Sequence, residues 1–309
     1  MKVVVPDLIS NSYFPAVAAV DLGFFKDQGI DATLENIFPV DLAFEKLRDG
    51  EVDFVAGSAH AALVAFPDWQ GVKLLCALSQ GMYWFLVLHT DIGAKRGEIE
   101  AVKGLRIGAA PLVELGLKRL LAESGIDTER DSVDITPVPG AIGQGISFGV
   151  TAAKALEARK IDGFWANGFG AETAVRAGVG TIVLDVRRGD GPPDAFSYTM
   201  PILAVSDRLI DACPDVAAAA VRAVVKTQAV LRDDIGRAVE VGNRLFPPGD
   251  AEMIAEIVAR DLPYYEAAIA ADAVVAINRF AHASGLPTAP EVAYEAVVAT
   301  QFREFWTTG

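Results

Sequence analysis

The chain has 309 residues, with 27 Lys and Arg against 41 Asp and Glu, three His, two Cys and 52% hydrophobic residues, giving a net charge of −14. A chain of this length has room for two domains and buries about three quarters of its unfolded surface, so it needs neither disulfides nor a metal for stability. Its acidic balance and lack of a Lys/Arg cluster give a nucleic-acid backbone or an anionic bilayer nothing to hold, which excludes both as partners.

In chain order, the first element is an apolar strand at Val3, Val4 and Val5, followed by Pro6 and Asp7. This reads as strand and loop rather than as a signal-peptide core. The expectation is a cytoplasmic protein, or a periplasmic one whose leader has been removed. A polar loop, Ser10-Asn11-Ser12, leads into a helix in which Ser12 is the expected cap, Pro15 sits in the opening turn, and Val17, Val20 and Phe24 follow at helical spacing. Gly29 ends it, because glycine adopts the left-handed backbone that closes a helix. A second strand and helix follow, then Glu51-Val52-Asp53-Phe54-Val55-Ala56-Gly57.

The same plan returns over residues 105–167, with strand Leu105-Arg106-Ile107-Gly108, a helix ended by Gly125-Ile126-Asp127, and a closing Lys160-Ile161-Asp162-Gly163-Phe164-Trp165. Two copies of one β-α-β-α-β plan predict an α/β fold of two lobes, each a doubly wound, mostly parallel sheet. Two apolar runs flank the second copy, Trp84-Phe85-Leu86-Val87-Leu88-His89 and residues 196–205, and are read as passages between the lobes. The lobes are then 1–86 plus 200–309, and 90–195, with hinges near 86–90 and 195–200. From Asp207 onward the pattern is helical, a tail expected to pack on the first lobe.

The uncharged stretch 135–153 is broken by Pro137, Pro139, Gly140, Gly143, Gly145 and Gly149 and is too irregular to span a bilayer, so no direct membrane insertion is expected. Cys76 and Cys213 lie 137 residues apart, outside any Cys-x-x-Cys spacing, and are read as two buried thiols. His60, His89 and His282 show no metal-ligand spacing. Neither a metal nor a cofactor is expected. The Gly140-Ala141-Ile142-Gly143-Gln144-Gly145 run lacks the Lys-Ser/Thr of a phosphate loop and the spacing of a dinucleotide fingerprint.

Several segments, taken together in this order, resemble the type II periplasmic binding proteins, in particular the receptors for nitrate, sulfonate, taurine and thiamine pyrimidine. They are Ala18-Ala19-Val20-Asp21-Leu22-Gly23-Phe24-Phe25-Lys26-Asp27-Gln28-Gly29-Ile30-Asp31, Leu47-Arg48-Asp49-Gly50-Glu51-Val52-Asp53, Val102-Lys103-Gly104-Leu105-Arg106-Ile107-Gly108 and Ala158-Arg159-Lys160-Ile161-Asp162-Gly163-Phe164-Trp165. The resemblance covers roughly residues 1–240. It implies a monomeric two-lobe receptor that closes around a small molecule and hands it to an ABC-type permease. Where the sulfonate and nitrate receptors carry a Gly-Ser/Thr-rich anion cradle, this chain reads Ala110-Pro111-Leu112-Val113-Glu114, which argues for an uncharged, aromatic or heterocyclic ligand instead.

Ligands of open α/β sheets sit beyond the carboxyl ends of the strands, so the candidate binding residues come from those loops. They are Asn11, Ser12 and Tyr13, Ser58 and His60, Gln80, Glu114, Gln144, Trp165 and Asn167, with Tyr198. Aromatic walls carrying a few polar groups suit a flat organic ligand. Some of these loop residues also have a plainer reading: Ser12 as a cap, His60 as a satisfied structural histidine, Trp84 and Trp165 as lobe core, Glu114 as partner of the positive helix end. The alternative function is a cytoplasmic enzyme on the same fold, resembling a thiamine-pyrimidine synthase or a menaquinone-pathway lyase. Against it, the loops hold no Lys for a Schiff base, and His60 and Glu114 are the only general-base candidates. A transcription-regulator effector domain would need a DNA-binding helix pair ahead of Val3.

Overall fold

Val3, Val4 and Val5 are fully buried in the first strand, β1 (Lys2–Val5). A strand that is apolar on both faces has to be covered on both, as in a parallel sheet wrapped by its crossover helices. The computed structural model describes residues 1–141 and 147–307. After β1 come α1 (Phe14–Asp21), α2 (Phe24–Asp27), β2 (Thr33–Asn36), α3 (Val40–Asp49), β3 (Phe54–Ser58), α4 (Ala62–Ala65) and β4 (Val72–Ala77). The chain continues through β5 (Phe85–His89), β6 (Arg106–Ala109), α5 (Val113–Glu123), β7 (Asp134–Thr136), α6 (Phe148–Glu157), β8 (Gly163–Ala166), α7 (Gly168–Arg176) and β9 (Gly180–Asp185). It ends with β10 (Pro201–Ser206), α8 (Asp207–Ala212), α9 (Pro214–Asp233), α10 (Gly236–Leu245), α11 (Asp250–Asp261), α12 (Ala271–Ala283) and α13 (Tyr294–Val297).

These elements form two compact units, Met1–Gly81 with Thr199–Gly309, and Met82–Tyr198. Each holds one five-stranded sheet, ordered β2-β1-β3-β10-β4 in the first and β7-β6-β8-β5-β9 in the second. The orders are the same once each strand is replaced by its counterpart. In each sheet four strands run one way, and one, β10 or β5, runs against them. Even the irregularities repeat: β10 slips register against β4 between Leu203 and Ala204, and β5 slips against β9 between Leu86 and Val87.

The repeat has a local cause in the way the helices end. Ile30 N–H donates to Phe25 O and Gly29 N–H to Lys26 O, and the same pair of bonds recurs as Ile126 to Leu121 and Gly125 to Ala122. Both glycines take the left-handed conformation that this cap requires, with φ of 81° and 80°. At the next helix the cap uses Gly50 in the first unit and Arg159, at φ 57°, in the second. Three residues after each comes an aspartate with a fixed task. Asp53 Oδ2 accepts the backbone N–H of Lys2 at 2.7 Å, and Asp162 Oδ2 accepts that of Arg106 at 2.9 Å. Each carboxylate therefore satisfies the first amide of the neighbouring parallel strand and anchors its register.

Four details differ from the sequence expectations, each for a physical reason. α1 is capped from Tyr13, without a side-chain cap bond, because Pro15 then falls at an early position where its missing N–H costs nothing. Phe24 belongs to a separate helix, divided off by Gly23 at φ 79°. The two apolar runs read as passages lie within the sheets: β5 pairs on both sides with β8 and β9, β10 with β3 and β4, and the chain changes unit at 81–82 and 198–199. Cys76 is buried, whereas Cys213, in the turn between α8 and α9, is exposed.

The helical tail is fastened to the first unit by long-range polar bonds, including Arg222 Nε to Gln28 Oε1 at 2.7 Å and Trp306 Nε1 to Leu75 O at 2.8 Å. Among the described residues no helix is long and apolar enough to cross a membrane, and no group of three or more His, Cys, Asp or Glu is placed to hold a metal ion.

The Arg106 guanidinium beside Asp162 holds that carboxyl below its usual range. Arg130 does the same to Asp131, which titrates at about 2. A depressed folded-state value means that the unfolded chain takes up these protons first, so stability rises with pH across that interval. Thermal unfolding followed by circular dichroism is expected to be insensitive to these groups above the ordinary carboxylate range, near 4, and to weaken as pH falls from there toward 2. Asp162→Asn should make that acid loss shallower; an unchanged slope would contradict the account.

Candidate functional site

In the first unit β2, β1 and β3 are parallel neighbours that end at Asn36, Val5 and Ser58. The loops beyond those ends begin α1, α3 and the 3-10 turn Ala59–Ala61. The buried apolar lengths of β1 and β3 leave these loops as the place where polar side chains can be held. Ser10, Asn11, Ser12, Ser58 and His60 are all at most 1% exposed.

Their hydrogen bonding separates them. Asn11 Nδ2 donates to Asp261 Oδ2 and Asn11 O accepts from the Tyr265 hydroxyl, so the first loop is stapled to the end of α11 and the segment after it. His60 Nδ1 meets Thr199 Oγ1 at 2.9 Å, and its ring packs edge-on against Phe280 at 5.4 Å between centroids. Gln80 donates both amide hydrogens to the carbonyls of Glu266 and Ala268, at 2.9 and 2.8 Å. By contrast, Asn11 Oδ1, Ser12 Oγ and Ser58 Oγ are buried without a hydrogen-bond partner among the described residues. A buried hydroxyl in that state forfeits roughly 1–3 kcal/mol.

Two further residues at this edge escaped the sequence reading. Asn36 closes β2, and Asp41 lies in the first turn of α3; Asn36 Oδ1 and Asp41 Oδ1 are also buried and unpartnered among the described residues. The signal was present in the repeat, since the second strand of each copy ends at the same edge as the first and third.

A groove of about 540 Å³ lies elsewhere in this unit, beside α9, lined by Val225, Gln228, Arg232, Tyr265, Glu266 and Trp306 among others. Two of its polar side chains are bonded already, Gln228 to the carbonyls of Ala77 and Leu78 and Arg232 to that of Tyr265.

In the second unit the corresponding loops follow β6 and β8. Leu112 enters α5 at φ 65°, a left-handed position that costs a side-chain-bearing residue roughly 1–2 kcal/mol. Glu114 sits in the first turn of α5, with Lys118 Nζ 3.9 Å away. Trp165 is fully buried on β8, donates its indole N–H to Val113 O at 3.2 Å, and stands edge-on to Trp84 at 6.0 Å. Trp84 in turn packs on Tyr83 at 5.0 Å, and Gly116 leaves the space its ring occupies, since a Cβ there would come within 2.8 Å of it. Asn167 caps α7 by accepting Gly170 N–H at 3.1 Å.

Tyr198 donates to Glu123 Oε2, and burial together with that carboxylate pushes its phenol above its ordinary value. Glu123 ends α5, nine residues from Glu114 and about 13 Å along the helix. The Tyr198 hydroxyl is therefore bonded at the opposite end of α5 from Glu114. Gln144 lies outside the described residues. Arg187, 4% exposed with its guanidinium 5.8 Å from the Tyr83 ring centroid, was not singled out from sequence. Nothing in its Arg-Arg context marks one of the two as buried.

Two sheets of one topology, each with a single opposed strand, define the fold of the type II periplasmic binding proteins, and solved structures match it over nearly the whole chain. A protein from Bordetella bronchiseptica RB50 is 19% identical with a TM-score of 0.75, over 98% of this chain and 95% of that one. The ligand-binding component of an ABC-type import system from Staphylococcus aureus, with zinc bound, is 14% identical with a TM-score of 0.73, over 99% and 98%. The alkanesulfonate-binding protein SsuA from Xanthomonas axonopodis pv. citri, bound to MOPS, is 15% identical with a TM-score of 0.73, over 96% and 97%. Residues 10–242 match the NMT1-like family, and the chain belongs to it. No curated protein matches the chain.

Because Trp165 is enclosed on all sides, Trp165→Ala is expected to lower unfolding stability by about 3–5 kcal/mol in denaturant titrations. A loss below about 1 kcal/mol would mean that the ring is not held as core.

Proposed function

We propose that the chain is a solute receptor that closes its two units around one small organic molecule, aromatic or heterocyclic, and passes it as a monomer to an ABC-type permease in the periplasm. The observation that carries this reading is the pair of buried hydroxyls of Ser12 and Ser58, unpartnered among the described residues, which lie where α/β sheets of this kind hold ligands. Membership of the NMT1-like family and the likeness to two ligand-binding proteins, one of them a component of an ABC-type import system, support it. Serine hydroxyls at such a place gain a bond when the solute arrives, and a ligand that prefers the closed form shifts the protein toward it. The Ala110-Pro111-Leu112-Val113-Glu114 loop supports an organic ligand over sulfonate or nitrate, since Pro111 has no N–H to offer and Glu114 repels an anion.

The test begins with solute extracted from the purified protein by denaturation and identified by mass spectrometry. Added back at a hundredfold excess over its dissociation constant, it is expected to stabilise the fold by about 2.7 kcal/mol, to reduce the radius of gyration in solution scattering, and to be recovered chemically unchanged. Turnover of the solute, or stabilisation without compaction, would contradict the receptor reading.

A further inference from the structure

The side-chain oxygens of the first unit say something about the solute itself, and the inference rests on the receptor reading above. Five residues at the carboxyl edge of β2, β1 and β3 hold buried oxygens with no hydrogen-bond partner among the described residues: Asn11, Ser12, Asn36, Asp41 and Ser58. Neighbouring strands are about 4.8 Å apart, so an edge three strands wide spans roughly 10 Å, within reach of one small molecule.

The groups differ in what they can offer. Serine hydroxyls donate or accept, and a terminal amide such as that of Asn36 can present either end. Asn11 has no such choice. Its Nδ2 is committed to the Asp261 carboxylate, which turns Oδ1 outward from that bond as an acceptor. An ionised Asp41 only accepts. The two members with a fixed role are therefore both acceptors, and one carries negative charge.

The donors that an anion would need are scarce here. No Lys or Arg occurs in residues 6–13, 36–41 or 58–61. Prolines stand at both helix entries, Pro15 in the first turn of α1 and Pro39 as the cap of α3, and neither has a backbone N–H. The wider field points the same way. The first unit has 14 basic residues against 26 acidic ones, while the second has 13 against 15, so nearly all of the net charge of −14 is carried by the first. Such a field attracts cations and repels anions.

We propose that the solute presents a nitrogen cation, an ammonium or amidinium group, to Asp41 and Asn11 in the first unit, with the hydroxyls of Ser12 and Ser58 completing its hydrogen bonds. A cationic N–H donor satisfies a buried carboxylate oxygen and an amide oxygen at once, and bonds to charged partners are the stronger ones.

Calorimetric titration with three solutes that share one ring tests this: benzamidine, benzamide and benzoate. Benzamidine is expected to bind on the order of tenfold tighter than benzamide, with benzoate weakest. Asp41→Asn should remove most of the benzamidine preference while leaving benzamide affinity within about twofold, a split that a merely structural Asp41 would not produce. Solute extracted from the native protein should be retained by a cation exchanger. Benzoate binding tighter than benzamidine, no discrimination among the three, or an extracted solute retained by an anion exchanger would each overturn the inference. The receptor reading is judged separately, by compaction and by recovery of unaltered solute, so an anionic solute that still compacts the protein would sink this inference and leave that reading standing.

Discussion

A strand covered on both faces cannot carry a polar side chain along its length, and this constraint organises the rest of the molecule. β1 and β3 are buried from end to end apart from Lys2. Polar chemistry is pushed to the strand ends, and parallel pairing brings the carboxyl ends of β2, β1 and β3 to one edge. Ser12, Ser58, Asn36 and Asp41 lie along that edge for that reason rather than through any local signature. The opposite edge carries the structural counterpart, where Asp53 takes the first amide of β1.

The second unit applies the same constraint with different side chains. Its sheet repeats the strand order and the register slip next to the opposed strand, and Asp162 repeats the task of Asp53 with an added guanidinium from Arg106. What changes is the filling. In place of buried hydroxyls at the strand ends, it has Trp165 against Trp84, with Gly116 making room for the ring. One backbone plan thus supports an acceptor-rich edge in one unit and an aromatic cluster in the other, which fits the principle that a fold does not dictate the chemistry grafted on it.

Much of this was legible in the sequence because it depends on local chain chemistry. Gly29 and Gly125 end helices through left-handed caps that any reader of the Gly-Ile-Asp pattern expects, and the two copies follow from them. The strand-end loops were legible as the place to look for a site. The role of each side chain there was not, since it is set by partners far away in sequence. Gln80 is occupied by carbonyls 186 and 188 residues on, His60 by Thr199 139 residues on, and Tyr198 by Glu123 75 residues back. Ser12 reads as a cap, yet Pro15 shifts the helix entry to Tyr13 and leaves its hydroxyl without a partner among the described residues. Asn36 and Asp41 were missed because β2 is short and half-buried, with no apolar run to draw attention to its end.

Buried groups that the fold leaves unsatisfied lower its stability, and they persist where something else satisfies them. The account holds that Ser12 and Ser58 are such groups and that the solute is what satisfies them. The most direct measurement is the Ser12→Ala/Ser58→Ala double variant, with unliganded unfolding stability and solute retention determined side by side. The account predicts stability equal to or above that of the parent chain, together with loss of solute retention by at least about tenfold. A variant that loses stability while retaining the solute as well as the parent would contradict it.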